Sequence, residues 1–245
     1  MNGIDYVIDG KHIAVAEWFS EVFGAFDLAI LQFYHNFYEF LGDGFFGKLV
    51  DGFLKCYTHL GDEGILFIVL ALIFLLFRKT RKSGFGMLVG MLFGLIFTNL
   101  VLKELIERPR PFILYECLPD NEAAVLFRTW WEQMGSIKES WLRSFPSGHT
   151  TSAFAAMVPL FMISNKKFSW TALVAALLMG ASRNYVMVHY PSDVLFGIIV
   201  GTVAGILSFF VVRAIFNKLS EKDNKIVCSI NNFDIIDFFK NRKKV

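Results

Sequence analysis

The sequence lacks several features that mark common classes of soluble protein. It has only three cysteines, whose spacing fits neither a zinc site nor a redox motif, and an odd number gives no disulfide framework. No internal repeat or low-complexity stretch is present. Residues 1–12 carry charges where a cleavable signal peptide would have an apolar core, so we expect no such peptide. Charged residues are also scarce, at 19%, and no cluster of carboxylates is available to hold magnesium.

Apolar residues make up 55% of the 245 residues, above the roughly 45–50% that is usual in globular proteins. The few charges cluster between apolar runs, a pattern typical of polytopic membrane proteins. We predict an all-α membrane bundle with five transmembrane helices and an N-terminal sixth left open. A bilayer crossing takes about 20 residues, and five runs approach or reach that length: 60–77, 84–102, 148–164, 169–188 and 192–213.

The last of these runs has small residues at four-residue spacing, namely Gly197, Gly201 and Gly205. Four residues is close to one helical turn, so the three glycines share one face of the helix. Small residues on one face allow a neighbouring helix to approach closely. We therefore expect this helix to pack tightly against another one.

The N-terminal region is harder to assign, because its apolar and charged residues nearly balance. The strongly apolar residues of segment 22–41 favour membrane insertion by about 3–6 kcal/mol, whereas one central charge costs about 2.5–3.5 kcal/mol. Asp27 and Glu39 both lie inside this segment. We predict that residues 14–58 form interfacial amphipathic helices, or one weak span followed by such a helix. The chain thus divides into an N-terminal region (1–59), a transmembrane core (60–213) and a basic tail (214–245).

The distribution of Lys and Arg predicts the orientation, because short loops rich in these residues stay in the cytoplasm. They stand between the first two predicted spans (78–82), between the third and fourth (166–167) and in the tail. We therefore expect a cytoplasmic C-terminus. Segment 103–147 and the turn near 189–191 then lie together on the outer face.

Segment 103–147 carries many basic residues although it is predicted to lie outside. Positive charge kept on that side indicates an anionic ligand. Trp130, Trp131 and Trp141 are predicted to anchor the segment at the level of the lipid headgroups. The basic residues are Lys103, Arg108, Arg110, Arg128, Lys138 and Arg143, and acidic residues accompany them.

The segment Ser182–Asp193 combines an imidazole, a carboxylate and a guanidinium near a predicted helix start. Pro191 suits the first turn of a helix, and Asp193 follows His189 by four residues. The carboxylate can then bind one imidazole nitrogen, which fixes the tautomer and leaves the other nitrogen free to attack. Arg183 is a planar donor suited to phosphate oxygens.

A second segment, Pro146–His149, predicts the N-terminus of a helix. Ser147 suits the N-cap position, and Gly148 lets the backbone approach a ligand. Free backbone N–H groups at such a terminus favour bound anions. His149 in the first turn could protonate a departing oxygen.

The segment Lys103–Pro111 brings two cations together at the end of an apolar run. Lys103 and Arg110 are seven residues apart, almost two helical turns, and the two prolines are predicted to end the helix. Alone, each of the three segments has a structural interpretation, such as a helix cap or a snorkelling cation. On one side of a membrane they form an anion site with an oriented nucleophile and an acid.

Together the segments resemble the signature of the type-2 phosphatidic acid phosphatase superfamily, which also includes the vanadium haloperoxidases. The pattern Lys-(six residues)-Arg-Pro, Pro-Ser-Gly-His and Ser-Arg-(five residues)-His-(three residues)-Asp is complete. The resemblance implies hydrolysis without metal or cofactor, in which His189 attacks phosphorus, Asp193 orients it, and His149 protonates the leaving oxygen and then activates water. It implies phosphate-binding roles for Lys103, Arg110, Ser147, Gly148 and Arg183.

The function implied is that of a cell-membrane phosphatase acting on a lipid phosphate or pyrophosphate in the outer leaflet, with undecaprenyl pyrophosphate as the favoured substrate. The alternatives are a phosphatidylglycerophosphate or phosphatidic acid phosphatase, a lipid phosphotransferase, a vanadium haloperoxidase, and an inactive lipid-binding scaffold. The five spans argue against the haloperoxidase, and the complete catalytic set argues against the scaffold. No feature indicates a nucleic-acid partner. His12, His35 and His59 are predicted to be structural or interfacial, and Glu107 and Arg108 to be solvated, with substrate contact by Arg108 left open.

Overall fold

The computed structural model of the chain describes residues 7–8, 11–12, 14–117, 120–137, 142–220 and 234–235. Two short antiparallel strands, β1 (Val7–Ile8) and β2 (Lys11–His12), precede the helices. The predicted all-α class is confirmed, since nearly all other regular structure in the described part is helical. The helices are α1 (Ala14–Leu41), α2 (Phe45–Leu60), α3 (Ile65–Leu76), α4 (Arg81–Leu95), α5 (Lys103–Leu105), α6 (Leu114–Cys117), α7 (Glu122–Gln133), α8 (Gly148–Ile163), α9 (Lys166–Tyr185) and α10 (Pro191–Ser220).

Helix α8 is the centre of the bundle and packs against α4, α9 and α10. Glycines allow this close approach. A Cβ atom at Gly90 of α4 would lie 2.0 Å from the carbonyl oxygen of Ala155, and one at Gly201 of α10 would lie 2.6 Å from that of Thr151. The expected tight packing along the glycine face of α10 is confirmed, and its partner is α8.

Two helices in the described part are long and apolar enough to cross a membrane, Arg81–Leu105 and Pro191–Leu219. The first consists of α4, a π-helical segment (Ile96–Leu102) and α5. The pair Phe45–Leu60 and Asp62–Leu76, bent by 58°, would add a third crossing if it is one broken span. The other predicted runs fall on α3, α8 and α9, so five crossings remain a prediction.

Helix α1 is one continuous helix of 28 residues that contacts α2, α7, α9 and α10. Its Asp27, which weakened the prediction of a span, is only 1% exposed. The carboxylate therefore faces protein rather than lipid. A hydropathy scale assumes that Asp27 is in contact with hydrocarbon. The free-energy cost of that contact does not apply to a paired carboxylate inside the bundle.

Trp130 and Trp131 do not anchor segment 103–147 at the headgroups as predicted. Trp130 and Trp131 are 4% and 5% exposed and belong to an apolar cluster between α7, α1 and the turn after α9. Trp131 stacks on Phe112, and Trp130 stacks on His35, whose Nε2 lies 2.7 Å from Gln133 Oε1. The prediction was wrong for these two because α7 folds back onto the helices. Trp141 lies outside the described residues.

Candidate active site

Helix ends meet at one end of the bundle and bring the three sequence segments together. A cavity of about 370 Å³ lies between three of these ends. They are Lys103, which follows the π-helical segment, Gly148, which begins α8, and the turn between α9 and α10. Of the eight predicted site residues, five line this cavity: Lys103, Arg110, Gly148, His149 and His189. The other three, Ser147, Arg183 and Asp193, lie behind it.

The tautomer of His189 follows from its neighbours. Its Nε2 lies 3.2 Å from Arg110 Nη1, and Nδ1 lies 3.6 Å from Asp193 Oδ2. A guanidinium has only donors, so the bond from Arg110 requires a lone pair on Nε2. The proton of the neutral ring is then on Nδ1, facing Asp193. Nε2 therefore carries the lone pair, and it faces Arg110 in the wall of the cavity.

The surroundings of His189 favour the neutral imidazole. The side chain is 1% exposed. Burial, together with the positive charges of Arg110 and Arg183, holds the pKa of His189 well below its ordinary value. A neutral imidazole can attack without first losing a proton. The cations of the cavity, which attract anions, therefore also keep this imidazole neutral.

Asp193 is held by partners other than His189. Its Oδ2 accepts a hydrogen bond from the backbone N–H of Tyr190 at 3.0 Å, and its Oδ1 accepts one from Arg108 Nη1 at 2.8 Å. Its backbone carbonyl accepts from the N–H of Ser147 at 3.1 Å, which ties the start of α8 to the start of α10. The orientation of the carboxylate is therefore fixed before any substrate binds.

Arg108, which the sequence predicted to be solvated, is 1% exposed, and that prediction was wrong. Its guanidinium joins Asp193 to Asp27 of α1, with Nη2 2.7 Å from Asp27 Oδ2. Asp27 also accepts hydrogen bonds from the N–H and hydroxyl of Ser192, both at 2.8 Å. The ring of Tyr190 lies 3.8 Å from the guanidinium carbon. Arg108, which lies in the first segment, thus connects Asp27 of α1 to the Asp193 carboxylate of the third segment.

Ser147 stands at the N-cap position of α8, as predicted, but its hydroxyl makes no capping bond to the helix backbone. It accepts a hydrogen bond from the Thr150 hydroxyl at 3.0 Å instead. A Cβ atom at Gly148 would lie 3.8 Å from Lys103 Nζ. The ammonium group therefore stands beside the first turn of α8, where backbone N–H groups favour an anion.

Arg183 in the last turn of α9 is fully buried, and its Nη1 donates to Thr58 Oγ1 at 2.7 Å. Its charge acts on His189 from behind the cavity. Most other cations of segment 103–147 are occupied by nearby carboxylates rather than held for a ligand. Arg143 pairs with Glu104 and Glu107, and Arg128 pairs with Glu116 and Glu132.

A sequence model described as the PAP2 superfamily matches residues 83–217, more than half of the chain and all three segments. The chain belongs to the PAP2 superfamily. The match begins after α3, so α1, α2 and the bend before α3 lie outside it.

Relatives of the chain within the PAP2 superfamily include two proteins of Bacillus subtilis. The undecaprenyl-diphosphatase BcrC is 29% identical over 194 residues, which cover 71% of this chain and 89% of that one. Phosphatidylglycerophosphatase B is 33% identical over 174 residues, covering 66% and 73%. A crystal structure of a transmembrane PAP2-type phosphatidylglycerolphosphate phosphatase from this organism superimposes with a TM-score of 0.55, at 27% identity, over 84% of this chain and 92% of that one.

Residues outside the PAP2 motifs complete the cavity. Asp62 Oδ1 lies 2.8 Å from His149 Nε2, and its Oδ2 lies 3.1 Å from His59 Nδ1. His59, predicted to be structural, lines the cavity. The sequence carries no signal for either residue, because they precede the matched region and belong to no motif. The cavity is also lined by residues of the two helices around it, namely Gly94, Leu95, Thr98, Asn99, Thr151 and Ser152.

Proposed function

We propose that the chain is a membrane phosphatase that hydrolyses a lipid phosphate or diphosphate through a phosphohistidine on His189. One observation carries this proposal: the lone pair on His189 Nε2 stands next to Arg110 in a cavity that also holds Lys103. A nucleophile and the cations for the phosphoryl oxygens therefore share one space. Phosphoryl transfer depends mainly on such positioning and on stabilising charge at those oxygens.

The reaction has two steps. In the first, Nε2 bonds to phosphorus while the bond from phosphorus to the leaving oxygen breaks, and His149 gives its proton to that oxygen. In the second, His149 takes a proton from water as the water oxygen bonds to phosphorus and the nitrogen–phosphorus bond breaks. Arg110, Lys103 and the N-terminus of α8 stabilise the phosphoryl oxygens throughout, with Arg183 adding charge from behind. Asp193 stabilises the positive charge that develops on His189.

A lipid substrate is supported by the surface beside the cavity. Leu95 lines the cavity and is 53% exposed, on a helix apolar enough to cross a membrane. The same helix leads to Lys103. A phosphate in the cavity can therefore leave its apolar tail against α4, within the bilayer.

Among lipids, we favour undecaprenyl diphosphate. A relative named for that activity aligns over most of its own length with this chain. Phosphatidylglycerophosphate is the second candidate, because a relative at 33% identity and a solved structure carry that name.

We further propose five membrane crossings, with the cavity on the outer face and the C-terminus in the cytoplasm. The basic residues at the start of α4 and the end of α10 are at the helix ends away from the cavity. Those two ends meet, since Lys82 Nζ lies 5.3 Å from the Phe216 ring. Basic residues gathered at one end favour the cytoplasm for that end. A reporter joined after residue 125 should be exported, and a cytoplasmic reading there would overturn this orientation.

The activity is tested on purified protein in detergent with EDTA present, wild type beside His189→Ala. The substrates are undecaprenyl diphosphate, phosphatidylglycerophosphate and phosphatidic acid. We expect phosphate release by the wild type alone, fastest from undecaprenyl diphosphate, and an acid-labile phosphoenzyme that the variant lacks. Equal release by His189→Ala would refute the nucleophile. Fastest release from phosphatidylglycerophosphate would favour the second candidate.

A further inference from the structure

The cavity contains a second carboxylate–imidazole pair in addition to Asp193 and His189. Asp62 lies in a short helical turn (Asp62–Gly64) at the bend between α2 and α3. It contacts two imidazoles, His149 Nε2 at 2.8 Å and His59 Nδ1 at 3.1 Å. The contact with His149 brings a residue from outside the matched family region against the second motif.

The backbone of the bend also holds the ring of His149. A Cβ atom at Gly61 would lie only 2.9 Å from His149 Cδ2, so the backbone packs directly against the imidazole. The two residues after Asp62 have positive φ, 52° at Glu63 and 69° at Gly64. These left-handed conformations turn the chain sharply, which presents Gly61 and Asp62 to the same ring.

The contact determines which nitrogen of His149 can exchange a proton. An ionised carboxylate only accepts hydrogen bonds, so Nε2 must carry a hydrogen to bond Asp62. In the neutral ring Nδ1 is then the base, and in the charged ring Nδ1–H is the acid. A neighbouring carboxylate also stabilises a charged imidazole. Asp62 therefore selects one nitrogen for proton transfer and favours the form that can donate.

We propose that Asp62 is a positioning residue that holds His149 with Nδ1 as the nitrogen that gives and takes the proton. This inference rests on the proposed function, in which His149 protonates the leaving oxygen in the first step and accepts a proton from water in the second. The other titratable or charged groups that line the same cavity are His59, Glu63, Lys103, Arg110 and His189.

The test compares Asp62→Asn with wild type on two probes that differ in the leaving oxygen. p-Nitrophenyl phosphate releases a stable phenolate, whereas dioctanoyl phosphatidic acid releases an alkoxide that needs a proton. We expect Asp62→Asn to lower kcat for phosphatidic acid by about 10–100-fold with KM little changed, because it removes part of the roughly 10²–10⁴-fold that a positioned acid–base group contributes. With p-nitrophenyl phosphate the first step, which forms the phosphohistidine, should keep nearly its wild-type rate. The variant should then show a burst of nitrophenol and accumulate phosphohistidine, because the water step still needs the base.

A second measurement does not depend on turnover. At a pH where the ring is neutral, nitrogen NMR of histidine-labelled free enzyme should show His149 with its hydrogen on Nε2 in the wild type and a mixture of tautomers in Asp62→Asn. The matched control is Asp43→Asn, the same change at an exposed residue between α1 and α2. It should behave as wild type in every measurement.

Three results would overturn the role of Asp62. They are an equal loss in the rate of phosphoenzyme formation on both probes, wild-type rates in Asp62→Asn, and an unchanged His149 spectrum. Failure of the proposed function looks different, because the wild type would then form no phosphoenzyme, or His189→Ala would release phosphate as fast as the wild type, whatever Asp62→Asn does.

Discussion

Replacing Arg108 with alanine tests whether the buried charge network supports both the fold and the site. The guanidinium is 1% exposed, and its two carboxylate partners, Asp27 and Asp193, are 1% and 0% exposed. Removing the cation leaves two uncompensated carboxylates inside the protein. Breaking a buried ion pair in this way costs roughly 3–5 kcal/mol of unfolding free energy.

The matched control is Arg128→Ala, which removes an arginine from a pair with Glu132 at 2.6 Å. There the side chains are 31% and 55% exposed, and such pairs contribute about 0–1 kcal/mol. Unfolding of both variants is followed in detergent by denaturant titration. The double variant Arg108→Ala/Asp27→Asn should recover part of the loss, because it removes one of the stranded carboxylates.

Arg108→Ala should also lower kcat by about 100-fold, as displacements near 1 Å at a reacting group do. Asp193 would lose one of its two fixed partners and with it the geometry that faces His189. If Arg108→Ala unfolds no more easily than Arg128→Ala and keeps wild-type kcat, the network has neither role.

Three further changes test separate parts of the structure. A nitrogen NMR titration of the free enzyme should find His189 still neutral below pH 6.5, because burial and nearby cations lower its pKa. Below about pH 6.5, His189 then binds a proton in the unfolded chain but not in the folded one. The free energy of unfolding should therefore fall as the pH is lowered in the wild type, and less so in His189→Ala. A titration of His189 at or above that pH would contradict the account. Gly61→Ala should reduce kcat by about 10–100-fold, since its Cβ would displace the ring of His149; wild-type kcat would show that the ring is free to move. Gly90→Ala should destabilise by about 1–3 kcal/mol through overpacking of α4 on α8, whereas Gly52→Ala, with open space around it, should be neutral or slightly stabilising; equal effects would contradict the packing.

The parts of the structure that sequence could predict are those set by local pattern. The apolar runs 84–102 and 192–213 lie inside two helices of spanning length, because lipid and protein interior both require an apolar surface. The glycine spacing of α10 correctly indicated a close helix partner. Proline at position 191 begins α10, where its missing N–H costs nothing.

The parts that sequence missed depend on pairing between distant residues. Asp27 and Arg108 are 81 positions apart, and Asp62 and His149 are 87 apart. From the sequence, a single charge in an apolar segment, such as Asp27, predicts a free-energy cost of membrane insertion. A single arginine in a basic loop, such as Arg108, predicts a solvated side chain. Only the folded arrangement shows that each neutralises the other. Trp130 and Trp131 were misplaced for the same reason, since the fold of α7 back onto α1 leaves no local pattern.

In the proposed mechanism the two histidines need opposite properties, and the carboxylates beside them are placed accordingly. Asp193 shares its charge with the buried Arg108, so it orients His189 while contributing less to protonating it, and the cations of the cavity keep that ring neutral for attack. Asp62 is 47% exposed and contacts imidazoles on both of its oxygens. Its charge is therefore directed at His149, which must carry the proton. If the two carboxylates have these different roles, removing Arg108 beside Asp193 and removing the charge of Asp62 should impair different steps of the reaction. Arg108→Ala should disturb the carboxylate of Asp193 that faces His189 and slow attack on every substrate, whereas Asp62→Asn should slow only the steps that move a proton. Measuring phosphoenzyme formation on p-nitrophenyl phosphate separates the two, because Arg108→Ala should form it slowly and Asp62→Asn at nearly the wild-type rate.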